Sequence, residues 1–464
     1  MNTVAFHTLG CKVNYTETSA IARQFLQKGF NVIDQDGPCD IFVLNTCSVT
    51  ERADRECRQV IRRVLRYSPD AYVIVIGCYA QLQPEEIAAI DGVDLILGTK
   101  EKFNIFDFTG NFSKRAVPQI FVSCIDEVDD FDPSDSGKIF GRTRAYLKVQ
   151  DGCDYACAFC TIPRARGASR SHPVDNIVRQ AQLLAEQGYR EIVLTGINVG
   201  DYGKKIGTRF FDLLKALDRI RDIQRLRISS VEPNLLTGEM IDLVLSSERF
   251  CNHFHIPLQS GSDTILRMMR RRSLKSEYER LVSAIKTKDP SAAIGADVLV
   301  GFPGETEKLF NETHLFLADL PISYLHVFTY SERENTPAAE FPGRVSLKVR
   351  KERNEILRLM SSKKRTAFHA SFVGSTVPVL FENRTREGNS SGLTTNYIRV
   401  DAPSEHDLVN EIRCVTISEV RDDHCTGRIV VNEKDAGRMQ CSSPRGSLEQ
   451  DNTIPFIGTT MDIR

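Results

Sequence analysis

The sequence predicts an α/β protein in three parts: an N-terminal open parallel α/β sheet, a central partial (β/α)6 barrel and a C-terminal small antiparallel β-barrel. Three observations carry this. Residues 1–115 alternate short apolar runs with helical stretches, residues 140–370 repeat that alternation six times, and residues 371–433 hold short alternating segments broken by glycines.

In the first part, strands are expected over 4–8, 41–45, 72–77 and 94–97, and helices over 17–27, 51–66 and 84–90. Repeated strand–helix–strand units join parallel strands by right-handed crossovers. Cys11, Cys47 and Cys78 each stand just past the end of one of these strands, and ligands of such sheets collect at that edge. They are 36 and 31 residues apart, yet crossovers of one hand would set their strand ends side by side, as a three-thiolate site requires. Burial as a small hydrophobe is the plainer role for any one of them, and the one expected of Cys39, Cys57 and Cys124.

Residues 116–139, with Asp126, Asp129, Asp130, Asp132 and Asp135, read as an acidic linker. Strands of the second part are expected over 145–149, 191–195, 225–230, 253–258, 294–300 and 324–330, with helices such as 174–187 and 306–317 between them. Working residues of parallel barrels occupy the carboxyl ends of strands. Four polar motifs fall there: Leu194-Thr-Gly-Ile-Asn-Val-Gly200, Ser229-Ser-Val-Glu-Pro233, His255-Ile-Pro-Leu-Gln-Ser-Gly-Ser262 and Asp297-Val-Leu-Val-Gly-Phe-Pro-Gly-Glu-Thr306. A glycine after a strand ordinarily only makes a turn. Four such motifs at the matching end of successive strands mark a site.

Beside them, just after the first strand, lies Cys153-Asp-Tyr-Ala-Cys157-Ala-Phe-Cys160, spaced C-x3-C-x2-C. Three thiolates can hold three corners of a tetrairon cluster and leave one iron open to a substrate. Structural zinc competes, but closed zinc sites take four ligands, and the nearest histidine, His172, has no ligand spacing. A chance group of packing cysteines is the remaining alternative.

Composition is ordinary for a globular chain, with 41% hydrophobic and 26% charged residues in 464. No basic leader and no apolar stretch of membrane-spanning length is present, and thirteen cysteines partly in ligand spacing suggest a reducing compartment without disulfides. The cytoplasm is the expected location. A net charge of −1 leaves any polyanion to local patches. Arg52, Arg55, Arg58, Arg62, Arg63 and Arg66 share one helical stripe; Lys348, Arg350, Lys351, Arg353, Arg358, Lys363, Lys364 and Arg365 load another; Arg267, Arg270, Arg271 and Arg272 form a third. A solvated face is the commoner origin of each, but together they make RNA a candidate partner. Arg164, Arg166 and Arg170, just beyond the cysteine loop, are expected to meet phosphate, with a plain exposed loop as the alternative. Residues 371–433 carry six Lys and Arg against ten Asp and Glu, so that barrel is not strongly basic. Residues 434–464 lack periodicity and read as a mobile tail.

The three-part order, the C-x3-C-x2-C loop with Phe159 before its last cysteine, and the separated triad resemble the methylthiotransferases among the radical S-adenosylmethionine (SAM) enzymes, over nearly all of residues 3–433. Thr8-Leu-Gly-Cys-Lys-Val-Asn-Tyr-Thr-Glu17 is most similar to the branch acting on N6-threonylcarbamoyladenosine at position 37 of tRNA. The resemblance implies two 4Fe-4S clusters: Cys153, Cys157 and Cys160 would bind the one that chelates SAM, and Cys11, Cys47 and Cys78 an auxiliary one. It also implies an N-terminal methylthiotransferase domain, a radical SAM barrel and an RNA-binding C-terminal barrel of the TRAM type. The reaction replaces hydrogen at C2 of adenine by a methylthio group, which no side-chain base or nucleophile achieves. In this family a SAM-derived 5'-deoxyadenosyl radical attacks the substrate, and a second SAM methylates sulfur held by the auxiliary cluster.

Gly196 and Asn198 are then expected near the methionine part of SAM, and Ser230 and Glu232 near its ribose or amine; strand-end turns are the alternative, and for Glu232 an ion pair with Arg227. No catalytic side chain is assigned. The partners implied are the anticodon-loop region of tRNA and an external electron donor, with no membrane and no DNA. Two other readings stay open: the same chemistry on isopentenyladenosine or on a ribosomal-protein aspartate, and a noncatalytic iron-sulfur protein that binds RNA.

Overall fold

A computed structural model describes residues 2–430 except 35, 36, 49, 130, 138 and 140, so the expected tail lies outside the described residues. The N-terminal sheet comprises β1 (Thr3–Thr8), β2 (Asn31–Ile33), β3 (Ile41–Thr46), β4 (Tyr72–Gly77), β5 (Leu95–Leu97) and β6 (Gln119–Phe121). They pair in the order β2-β1-β3-β4-β5-β6, all parallel. β3 and β4 are buried at every position, because helices cover both faces of the sheet. On one face α1 (Lys12–Gln27) packs Ile21, Ala22 and Phe25. On the other, α2 (Glu51–Tyr67), α3 (Cys78–Leu82) and α4 (Pro84–Ala88) pack Val60, Ile61, Tyr79 and Ile87. The short α5 (Ile105–Phe108) closes this part. Two strands were not expected. β2 and β6 are each three residues long, too short to show an alternation, and β6 lies among the residues read as linker.

The second part begins with β7 (Arg144–Lys148), followed by a small antiparallel ribbon, β8 (Gln150–Asp151) with β9 (Arg170–Ser171), which brackets α6 (Ile162–Arg166). Then α7 (Val174–Glu186), β10 (Glu191–Thr195), α8 (Phe210–Asp218), β11 (Arg225–Ile228), α9 (Gly238–Ser246), β12 (His253–His255), α10 (Asp263–Met268), α11 (Lys275–Lys288), β13 (Ala293–Val300), α12 (Glu307–Asp319) and β14 (Tyr324–Thr329) complete it. β7, β10 and β11 form one parallel sheet and β12, β13 and β14 another, joined by a bridge between Leu226 and Phe250. The result is the expected partial barrel of six parallel strands, with its core inside and under α7, α8 and α11.

A long helix, α13 (Leu347–Ala370), leads to β15 (Thr376–Arg384), β16 (Ser390–Thr394), β17 (Arg399–Ala402), β18 (Ile412–Arg421) and β19 (His424–Ile429), which close into a barrel in the order β15-β16-β17-β19-β18. Closure removes every free strand edge from a module this small. It docks on the central barrel through buried arginines. Arg225 donates to the carbonyls of Leu393 at 2.9 Å and Pro378 at 2.8 Å, and Arg227 to those of Thr395 at 2.9 Å and Thr394 at 3.1 Å. Glu191, fully buried, answers both: Arg227 Nε lies 2.7 Å from Oε1. Among the described residues no helix is long and apolar enough to cross a membrane.

Candidate active site

Cys11 caps α1, Cys47 follows β3, and Cys78 opens α3 directly from β4, so three adjacent strands bring the first triad to one sheet edge. Gly10, at φ +105°, lets the chains meet: a Cβ there would stand 2.6 Å from Cys47 Cβ and 3.0 Å from its Sγ. Asn14 ties the loops by donating from Nδ2 to Leu9 O and Thr46 O, both at 2.9 Å, and its Oδ1 lies 3.6 Å from Cys11 Sγ. Cys47 and Cys78 are buried and Cys11 is exposed. Burial pushes the Cys78 thiol up, while the nearby Arg166 guanidinium opposes that rise.

The second triad lies on the loop after β8. Gly152, at φ +70°, is pressed so closely to the returning strand that a Cβ would fall 2.1 Å from Ala168 O. The loop is held by Cys153 N donating to Gly167 O at 3.0 Å, Ala158 N to Met269 O at 3.0 Å and Ser169 N to Asp154 Oδ1 at 2.8 Å. Burial raises the three thiols, Cys153 to about 11 and Cys160 to about 12, so proton loss at this loop needs a cation to compensate.

The thiols fit a cluster better than an ion. All six are free, and among the described residues only His255, Asp297 and His326 have ligand atoms within 4.8 Å of one another. Thiolates on one zinc would sit roughly 3.8 Å apart. A cubane takes each thiolate on a different iron, which suits sulfurs spread this way.

Of the four other expected residues, Asn198 and Glu232 stand beside the second triad, and Gly196 and Ser230 line a cavity next to the first. Gly196 allows a close approach, since a Cβ would lie 2.9 Å from Gln150 O and Oε1. Asn198 Nδ2 lies 4.0 Å from Cys153 Sγ and donates to Asp201 Oδ2 at 3.0 Å. Ser230 and Gly196 line a cavity of about 480 Å³ that Cys11 also lines, together with Lys12, His253, His255, Asp297, His326 and Tyr397. Glu232 pairs with Arg271, not with Arg227 as the sequence suggested; Arg271 Nη1 lies 3.1 Å from Glu232 Oε1 and 3.7 Å from Cys157 Sγ. Arg227 is taken by Glu191 on a neighbouring strand.

Two of the three arginines beyond the loop do not face solvent. Arg166 and Arg170 are buried, and only Arg164 is exposed, donating to Glu334 O at 3.1 Å. Arg166 instead meets Glu17 and Asn14 of α1. The basic stripes divide in the same way. On α13, Arg350 and Arg353 turn inward to Glu332 and Glu305, and Lys364 donates to Ala318 O and Leu320 O, leaving Lys348, Lys351, Arg358 and Lys363 exposed. On α2, Arg55 pairs with Glu51 and Arg58 with Tyr79, while Arg62, Arg63 and Arg66 are exposed without an ion pair among the described residues.

Sequence reasoning missed the group His255, Asp297 and His326. His255 Nε2 lies 2.9 Å from Asp297 Oδ1 and His326 Nδ1 3.3 Å from the same oxygen. Burial would raise the Asp297 carboxyl, but the two imidazoles outweigh it and hold it well below the usual carboxylate range. Only their places within three successive expected strands could have signalled this, Asp297 and His326 being register partners on β13 and β14. Tyr397 was also missed. It sits in the turn between β16 and β17 at φ +69° and stacks on His253 with centroids 4.6 Å apart, so the C-terminal barrel supplies a wall of the cavity.

Residues 3–98 match a family described as "Uncharacterized protein family UPF0004", and residues 147–317 match the radical SAM superfamily. The threonylcarbamoyladenosine tRNA methylthiotransferase MtaB of Bacillus subtilis (strain 168) is 39% identical over 96% of this chain and 100% of its own length. A tRNA-2-methylthio-N(6)-dimethylallyladenosine synthase of Acetivibrio thermocellus is 32% identical over 91% of this chain and 90% of its own. Among solved structures, the radical SAM methyltransferase TsrM of Kitasatospora setae shares the fold at a TM-score of 0.52 and 15% identity, covering 73% of this chain and 77% of its own.

Proposed function

Since this chain belongs to the radical SAM methylthiotransferases, we propose that it methylthiolates C2 of N6-threonylcarbamoyladenosine at position 37 of tRNA. One observation carries the reading: Cys11 of the first triad opens on a cavity lined by Gly196 and Ser230, and Asn198, two residues beyond Gly196, lies 4.0 Å from Cys153 Sγ of the second. Cys153, Cys157 and Cys160 hold the cluster that binds SAM, and Cys11, Cys47 and Cys78 hold the auxiliary one. When bound, these clusters and SAM supply the radical that removes hydrogen from C2 and the methylthio group that replaces it.

The protein's own residues arrange the encounter. Gly196, Asn198 and Ser230 shape the SAM pocket, and Glu232, oriented by Arg271, offers a carboxylate to the SAM amine or ribose. The N-terminal part, through Gly10 to Val13, and the C-terminal barrel, through Tyr397, each contribute a wall to the cavity. The anticodon-loop region of tRNA is gripped by the exposed arginines of α2 and the exposed basic residues of α13 rather than by the acidic C-terminal barrel. An external donor supplies electrons, and the cytoplasm supplies the tRNA.

Mass analysis of tRNA nucleosides from cells lacking the gene tests this. Loss of the 2-methylthio form of threonylcarbamoyladenosine, restored by the intact gene and not by one encoding Cys153→Ala, is expected. Loss confined to isopentenyladenosine, or no loss, overturns it.

A further inference from the structure

The cavity beside the first triad contains a cation with no hydrogen-bond or ion-pair partner among the described residues. Lys12, the residue after Cys11, lines the cavity, is exposed, and makes no hydrogen bond or ion pair among the described residues. The phenol of Tyr397 and the thiol of Cys11 stand beside it, with the guanidinium groups of Arg144 and Arg227 near by. Arg227, which shares the lining, is committed to Glu191, Thr394 and Thr395. Asp297 is the lining's carboxylate, and its Oδ1 is occupied by His255 and His326.

Other features of the wall ask for the same kind of ligand. α1 begins at Lys12 with no acidic residue in its first turn and no side-chain cap, so its free N–H groups add positive potential. His253, 5% exposed, carries a buried Nδ1 without a partner, and Ser229 Oγ is likewise buried and unpartnered. An unpaired ammonium with idle polar atoms around it suits a small anion that also carries hydrogen-bonding groups.

We propose that Lys12 selects the substrate by pairing with the carboxylate that a threonylcarbamoyl group carries on N6 of the adenine. The neutral part of that substituent, its ureido and hydroxyl groups, meets the polar wall formed by His253, His255 and Asp297. An adenine bearing an uncharged alkenyl group forgoes this ion pair and binds more weakly for that reason. This rests on the functional reading above and adds to it the residue that reads the substituent.

The test uses the full chain with its clusters reconstituted anaerobically, and anticodon stem-loop RNAs carrying threonylcarbamoyladenosine, its carboxamide analogue or an N6-alkenyl adenosine. Binding is measured without reductant, and iron content and electron paramagnetic resonance confirm that each variant keeps its clusters. The intact protein is expected to prefer the carboxylate RNA over the carboxamide by at least about tenfold. Lys12→Met should abolish that preference while retaining both clusters, and Lys12→Arg should keep most of it. A preference that survives in Lys12→Met overturns the assignment. So does equal weakening of both RNAs, which would place Lys12 on a backbone phosphate or on SAM. Methylthiolation of the carboxylate RNA by the intact protein is scored separately: if that fails, the functional reading falls; if it succeeds while Lys12→Met still prefers the carboxylate, only the role of Lys12 falls.

Discussion

Arg166 and Glu17, 149 positions apart, face each other through two buried hydrogen bonds, Nη1 to Oε1 at 2.9 Å and Nη2 to Oε2 at 3.1 Å. Glu17 lies on the helix that starts after Cys11, and Arg166 on the short helix that follows Cys160, so the pair joins the two cysteine loops. Lys102 approaches Glu17 at 2.8 Å and Lys148 at 3.6 Å, and Asp151 shares Arg166 Nη1 at 3.0 Å. Cations outnumber carboxylates in this network, which favours negative charge on the thiolates beside it.

Arg166→Met should therefore leave Glu17 and Asp151 short of a partner in the interior, at a cost of about 3–5 kcal/mol. Denaturant unfolding measures it. Adding Glu17→Gln should recover part of the loss, because the two changes share one network. A single-variant loss below about 1 kcal/mol would remove the pair's structural importance.

Acid should unlock the same joints. Burial would raise Glu17, but Arg166, Lys102 and Lys148 hold its carboxyl down to about 2, and Glu191 is held to about 2 chiefly by Arg227. A depressed folded pKa contributes stability that is complete above the unfolded value of 4.5 and is lost as pH falls from there towards 2. Thermal unfolding of the cluster-free protein should show a midpoint steady above pH about 5 and falling below it. Glu191→Gln should flatten part of that fall; an unchanged slope would count against Glu191.

Replacing each triad by alanines should separate the two halves of the chemistry. Without Cys153, Cys157 and Cys160 the reconstituted protein should lose about four of its eight irons and release no 5'-deoxyadenosine from SAM. Without Cys11, Cys47 and Cys78 it should lose a similar amount, yet still cleave SAM under reductant and transfer no methylthio group. Retention of full iron by either variant would defeat the assignment.

Gly152→Ala should cost the second cluster and spare the first. Its φ of +70° and the 2.1 Å approach of a Cβ to Ala168 O leave no room unless the cysteine loop shifts. Iron content near half that of the intact protein, with the auxiliary signal preserved, is the expected readout. Full reconstitution would show that the loop tolerates the shift.

Reversing Arg62, Arg63 and Arg66 to glutamate should weaken tRNA binding and lower its salt dependence, by about one unit of slope for each phosphate no longer neutralised. Reversing Lys351, Arg358 and Lys363 tests α13 in the same way. If neither change alters affinity, the grip lies elsewhere.

The second triad was legible because its chemistry is written in one contiguous stretch: three cysteines within eight positions, between a strand and a turn, keep their spacing whatever the rest of the chain does. The parallel strands of both α/β parts and the closed C-terminal barrel were legible for a related reason, since periodicity is local. The first triad needed a topological rule as well, and the sheet order β1-β3-β4 supplies it. Glu232 could be placed beside the site, but not its partner, because Arg227 and Arg271 are equally plausible until packing gives Arg227 to Glu191. The arginine stripes misled in the same way. An amphipathic pattern cannot tell that Glu305 and Glu332 arrive from other elements to meet Arg353 and Arg350.

The sequence by itself carried the two sets of cysteines and most of the segments that are strand or helix, because both depend on residue identity and short-range spacing. Tertiary structure alone decided which charges pair, which arginines turn inward, and which side chains from three separate modules line one cavity. Those outcomes depend on distances between elements far apart in the chain, and such distances are set by how cores pack and not by any spacing along the backbone.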